Sequence, residues 1–158
     1  PPSSAASDVY KRQGVDTPVR TFSGHRKAVR GVFVSGDYLF TGSQDSTAKM
    51  WDISTGGEVR TFNGNNDYMH SVFVSGDYLF TSGGGLFGSP GTAQMWDIST
   101  GNEVRTFSGH SHYVRSVFVS GGMLFTGSLD NTAKMWLIPE FNTFRITHNS
   151  GSGGIGSA

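Results

Sequence analysis

Three observations on this sequence predict an all-β fold built from repeated four-stranded antiparallel units. Val-Arg-Thr-Phe occurs at residues 19–22, 59–62 and 104–107, so that successive copies start 40 and 45 residues apart. Trp51, Trp96 and Trp136 are spaced by 45 and 40, and Val-Phe-Val-Ser-Gly recurs at 32–36, 72–76 and 117–121. Self-similarity at a fixed period marks a repeat architecture in which each copy is one supersecondary unit. The unequal periods have one source, because the stretch Thr81 to Thr92 is five residues longer than its counterpart Thr41 to Thr47.

In the first copy the predicted strands are Val29 to Val34, Tyr38 to Ser43, Thr47 to Ile53 and Glu58 to Phe62. β-Branched and aromatic residues fill these runs. Ser35-Gly36-Asp37, Gln44-Asp45-Ser46 and Ser54-Thr55-Gly56-Gly57 separate them, and Gly and Asp tolerate the backbone angles of tight hairpin turns. No stretch has helical length and periodicity. Four short strands every 40 to 45 residues match the arithmetic of a propeller blade. Three such blades cannot close a ring by themselves, since closed propellers typically have about 4 to 8.

Composition narrows the function classes. The chain has 158 residues, twelve Lys+Arg against twelve Asp+Glu, no Cys and 23 Gly. A net charge of zero lacks the basic footprint of nucleic-acid binding, so no nucleic-acid partner is expected. The absence of cysteine removes disulfide staples and thiolate metal sites and favours a reducing compartment, cytoplasmic or nuclear. Apolar runs stop at four or five residues, against about 20 for a spanning helix, so no membrane partner is expected.

At the ends, Asp8-Val9-Tyr10-Lys11-Arg12-Gln13 looks like an in-frame translation of a transposase end sequence used in DNA library construction, and residue 1 is Pro. The expected layout is a non-native tail over 1–13, a linker and the outer strand of a preceding blade over 14–27, and blade 1 over 28–64. Blade 2, with its glycine-rich insert, follows over 65–109, then blade 3 over 110–148 and a Gly/Ser linker over 149–158. The sequence reads as a fragment of a longer propeller protein, the other arrangement being two copies joined into a six-bladed ring.

Gly24-His25, Trp51-Asp52, Trp96-Asp97, Gly109-His110 and the Asp-to-Trp spacings of Asp45/Trp51 and Asp130/Trp136 together resemble the WD40 repeat family over about residues 18 to 148. The resemblance implies blades whose innermost strand follows the Gly-His and whose outermost strand precedes it. Val19 to Ser23 then becomes a loose outer strand and Phe141 to Thr147 the last one. It also implies a buried hydrogen-bonded tetrad in each blade, here His25, Thr41, Asp45 and Trp51 in blade 1 and His110, Thr126, Asp130 and Trp136 in blade 3. Repetition in successive blades marks these residues as scaffolding, and the alternative of a Thr-His-Asp nucleophile set is disfavoured. Blade 2 has Asn65, Thr81 and Trp96 but no turn Asp, which predicts a broken tetrad, a Trp96 indole that loses its oriented network and the least rigid blade.

Copies 1 and 3 agree at 25 of 34 positions over 19–52 and 104–137, and their differences gather in loops at one rim. The family resemblance places partner contacts there, carried over as Ala28, Arg30 and Gln44 in blade 1, Tyr68 and His70 in blade 2, and Tyr113, Arg115 and Leu129 in blade 3. Tyrosine and arginine are enriched at interface hot spots, so the expected partner is a protein or peptide, acidic or phosphorylated. The function predicted is a non-catalytic interaction scaffold needing no cofactor. Its alternative is a set of structural blades completing a longer propeller whose site lies elsewhere.

Three motif matches are set aside. Gly83-Gly84-Gly85-Leu86-Phe87-Gly88 fits a dinucleotide pattern by letter, but no helix follows it to face a pyrophosphate. Ser43-Gln44-Asp45 with Trp51 approximates an Asp box with the Trp one residue too far. His110 and His112 lack a third metal ligand nearby.

Overall fold

Alternating apolar and polar residues, cut by Gly- and Asp-bearing turns, produce eleven strands in a computed structural model that describes residues 16–64, 67–85 and 90–142. β1 (Val29–Ser35), β2 (Tyr38–Ser43), β3 (Thr47–Asp52) and β4 (Glu58–Asn63) form one antiparallel sheet in sequence order. β5 (Tyr68–Ser75), β6 (Tyr78–Gly84), β7 (Thr92–Asp97) and β8 (Glu103–Ser108) form the second, and β9 (Val114–Ser120), β10 (Met123–Ser128) and β11 (Ala133–Leu137) the third. These sheets are three propeller-type blades, and the ring is open. The tail 1–13, the linker 149–158 and the insert residues 86–89 lie outside the described residues. Among the described residues no helix is long and apolar enough to cross a membrane.

The core lies between blades. In the first seam Phe40, Ala48, Met50 and Phe62 cluster with Val72, Val74, Leu79 and Trp96. In the second, the corresponding Phe80, Ala93, Met95 and Phe107 cluster with Val117, Val119 and Leu124. Each blade thus offers an aromatic-rich face to the next and receives it on a Val/Leu face.

Turn chemistry follows the repeat where the residues repeat. Asp52 Oδ1 accepts from the Ser54 amide at 2.8 Å and Asp97 Oδ1 from the Ser99 amide at 2.9 Å. Both turns end at a glycine with positive φ, Gly56 at 78° and Gly101 at 79°, a region costly for residues with a Cβ.

The third copy has Leu137 instead of Asp, and the chain enters a single 3-10 turn at Pro139–Phe141. Ile138 is fully buried there, Glu140 pairs with Arg105 at 2.9 Å, and Phe141 packs near Tyr78 and Phe80. Two stretches expected as outer strands carry no strand among the described residues. Phe141 begins no strand, because Pro139 and the burial of Ile138 turn the chain back towards blade 2, and residues 143–147 lie outside the described residues. Val19 to Ser23 pairs with no strand among the described residues, although Phe22 docks edge-on to Trp51.

Glycines of the second copy serve close approach. A Cβ on Gly83 would overlap the Tyr68 carbonyl, and one on Gly84 would overlap the Tyr113 ring from the next blade. Gly84→Ala should therefore lower stability by about 1–3 kcal/mol through overpacking. The cost should shrink in a Tyr113→Ala background, as a thermal-unfolding double-mutant cycle would measure.

Candidate functional site

The polar groups buried within each blade are settled first, because they determine which side chains remain for function. In blade 1 the Trp51 indole donates to Thr41 Oγ1 at 2.9 Å, and Thr41 Oγ1 lies 2.7 Å from His25 Nε2. His25 Nδ1 lies 2.9 Å from Asp45 Oδ2. The indole can only donate, so the neutral chain runs indole to hydroxyl, hydroxyl to Nε2 and Nδ1–H to carboxylate. Blade 3 repeats it: Trp136 to Thr126 at 2.9 Å, Thr126 to His110 at 2.7 Å, and His110 to Asp130 at 2.8 Å. The preceding glycines are required by the indoles, since a Cβ would sit 3.0 Å from Trp51 at Gly24 and 2.9 Å from Trp136 at Gly109.

Both carboxylates are anchored further. Burial favours the neutral acid at Asp45, but the Thr47 hydroxyl, the Arg26 amide and His25 outweigh it and hold the carboxyl far below the usual range. At Asp130 the Thr132 hydroxyl leads, opposed by burial and aided by His110 and the Ser111 amide, with the same result.

This geometry offers no nucleophile. Thr41 is 4% exposed, and its oxygen is held between an indole and an imidazole. His110 has both ring nitrogens engaged, and His112 Nδ1 accepts from the Tyr113 amide at 2.8 Å. Among the described residues no three His, Asp or Glu side chains gather as metal ligands.

Blade 2 departs in a way the sequence did not reveal. Asn65 lies outside the described residues. Trp96 nevertheless donates to Thr81 at 3.0 Å, and Thr81 turns its hydroxyl to Gln94 Oε1 at 3.5 Å, with Gln94 bonded onward to Glu103.

The rim residues assemble around three β-bulges. The β1–β2 ladder skips between Val29 and Gly31, β5–β6 between Met69 and Ser71, and β9–β10 between Val114 and Ser116. The extra residues are Arg30, His70 and Arg115, one on each inner strand at the same place in its blade. A bulge leaves its residue out of the ladder and re-aims the side chain. Arg30 and Arg115 are exposed and His70 is half-buried. Burial, then Arg115 and Arg30, push the His70 imidazole below its ordinary value. Its Nε2 is buried with no hydrogen-bond partner.

The Tyr113 ring lies 5.5 Å from the His70 ring and the Tyr68 ring 6.4 Å from it, so two aromatics flank the imidazole. Ala28 and Gln44 are joined by a 2.9 Å backbone bond, as are Tyr113 and Leu129, which places these loop residues on the same rim. Leu129 is 45% exposed.

Compared with known families, the chain matches WD40, described as "WD domain, G-beta repeat", at residues 16–52 and 101–136. Among curated proteins it is 40% identical over 57 residues to the Ribosome biogenesis protein WDR12 homolog of Anopheles gambiae, covering 35% of this chain and 13% of that protein. It is 44% identical over 45 residues to the E3 ubiquitin-protein ligase COP1 of Pisum sativum, covering 28% and 7%. To the Kinesin-like protein KIF21A of Homo sapiens it is 38% identical over 72 residues, covering 35% and 4%. The chain spans only a small part of each of these relatives.

The carboxylate anchors make a pH prediction. Asp45 and Asp130 bind fewer protons folded than unfolded, so their contribution is present above the unfolded value near pH 4 and is lost as pH falls below it. The chain should lose stability steadily between about pH 5 and pH 2. Asp45→Asn with Asp130→Asn should flatten part of that slope, leaving the share due to Asp52, Glu58, Asp97 and Glu140, which are also held low. Denaturant unfolding of both proteins across this range checks it.

Proposed function

On the premise that this chain carries WD40 repeats, whose general role is protein-interaction scaffolding, we propose that it is a non-catalytic scaffold segment that holds an acidic or phosphorylated peptide on the bulge rim. The observation that carries this reading is the register of the three bulges. Arg30, His70 and Arg115 are the bulge residues of successive inner strands, and the His70 ring has those of Tyr68 and Tyr113 as neighbours.

Each part has a chemical task. Guanidinium groups bind carboxylates and phosphates by charge-assisted, often bidentate bonds, stronger than neutral ones. Tyr68 and Tyr113 provide rigid aromatic area at low entropic cost. Ala28, Gln44 and Leu129 form the edge of the same surface. Proteins similar to parts of this chain are named for ribosome biogenesis, for ubiquitin-protein ligation and as a kinesin-like protein.

Fluorescence anisotropy with labelled Asp/Glu-rich and phosphoserine peptides tests the reading. Binding should weaken as salt rises, because the arginines are exposed. Arg30→Ala, Tyr68→Ala and Tyr113→Ala together should reduce affinity at least tenfold while strand content by circular dichroism is retained. Equal affinity of the folded triple variant would contradict the proposal.

A further inference from the structure

At the end of the blades away from the bulges, the two seams inside the chain are closed differently. In the second seam the Phe141 ring returns over blade 2, its centre 5.7 Å from that of Tyr78 and 6.1 Å from that of Phe80. Pro139 and the 3-10 turn bring it there, and Ile138 and Met95 of that seam are fully buried. In the first seam the counterparts of Tyr78 and Phe80 are Tyr38 and Phe40. There the chain after Trp96 runs through the turn at 97–101 into β8, and among the described residues no ring packs on Tyr38 or Phe40 as Phe141 does on their counterparts. Tyr38 is 36% exposed, and Ile98, the counterpart of Ile138, is only half-buried.

The result is a cavity of about 510 Å³, lined by Tyr38, Phe40 and Met50 of blade 1 and by Val74 and Ile98 of blade 2. Its lining comes from blades 1 and 2 alone, across an internal seam whose residues are all described. An apolar cavity of roughly 150 Å³ already takes a benzene ring, so an aromatic side chain and its neighbour both find room here. Charge separates this site from the second seam. Asp77 and Asp97 line the cavity where blade 3 has Gly122 and Leu137, and no Lys or Arg lines it. Asp97 is committed to its own turn, bonded to the Ser99 hydroxyl at 2.6 Å and drawn on by Arg60. Asp77 is exposed and makes no ion pair among the described residues, which leaves its carboxylate for a partner.

We propose that this cavity is a docking site for an aromatic side chain of a partner protein, carried next to a lysine or arginine. Phe141 shows the mode, since the chain fills the matching place in the second seam with its own ring, presented from one tight turn. The partner's cation meets Asp77 while its ring enters between Tyr38 and Ile98. This site is separate from the bulge rim, because β1 and β5 carry Arg30 and His70 near their starts and the cavity-lining Ser35 and Val74 near their ends. The two ends of the blades thus select partner segments of opposite charge.

NMR of the full chain, labelled at the methionine methyl groups, tests this with acetyl-Lys-Phe-Lys-amide and acetyl-Lys-Ala-Lys-amide as probes. Titration of the phenylalanine peptide to millimolar concentration should shift the Met50 methyl by ring current and leave Met95, its counterpart in the closed seam, in place. The alanine peptide should bind at least tenfold more weakly, because it brings no aromatic surface to bury. Asp77→Lys, at an exposed turn position, should weaken the phenylalanine peptide at least threefold, with the Met95 methyl reporting that the fold is kept. A Met50 methyl that stays fixed with the phenylalanine peptide, or moves equally with the alanine peptide, would overturn the proposal. So would unchanged affinity in the folded Asp77→Lys protein.

Discussion

A four-stranded sheet with apolar residues on both faces can bury both only between two other layers, and this constraint organises the chain. Removing apolar surface from water is worth roughly 25 cal/mol per Å², and here the fully buried Phe40, Phe62, Phe80, Leu79 and Met95 all belong to the two seams. The same requirement makes the outer faces of blades 1 and 3 the least satisfied surfaces of the molecule. Sequence divergence in blade 3 follows from it too. Its final turn gives up the Asp-Ser-Thr-Gly design and instead buries Ile138 and pairs Glu140 with Arg105 of the preceding blade.

Within that frame, polar burial is handled by short closed chains. Trp, Thr, His and Asp pass one hydrogen bond to the next, so that a bulky indole is buried without an orphaned N–H. Blade 2 reaches a similar end by another route, in which Gln94 takes the Thr81 hydroxyl and passes a bond to Glu103. These groups are occupied with holding the blades. The residues proposed for recognition, Arg30, His70 and Arg115, are instead those that the bulges leave out of the ladders.

The repeat, the strand order and the blade count were legible in the sequence, because Val-Phe-Val-Ser-Gly and the tryptophans mark the same place in each copy. Strand ends agreed closely for the same reason, since Gly36, Gly56 and their counterparts punctuate the hairpins. Contacts between blades were not legible. Nothing local in Gly83-Gly84 says that the Tyr113 ring lies over it, about thirty residues on in the chain. Nor does any motif say that Gln94 reaches the Thr81 hydroxyl, or that Phe141 turns back onto Tyr78. At the candidate site, the family resemblance grouped the eight rim positions. Only the packing disclosed that His70 Nε2 is buried without a partner between two aromatic rings.

Amide hydrogen exchange, resolved strand by strand, tests the governing constraint most directly. β2, β6 and β10 each pair on both sides within their sheets. If burial between two layers is what holds a blade, β6 in the middle blade should be the best protected of the three. Equal protection of β2, β6 and β10 would contradict the account, because the outer blades would then be as stable with one face open to water.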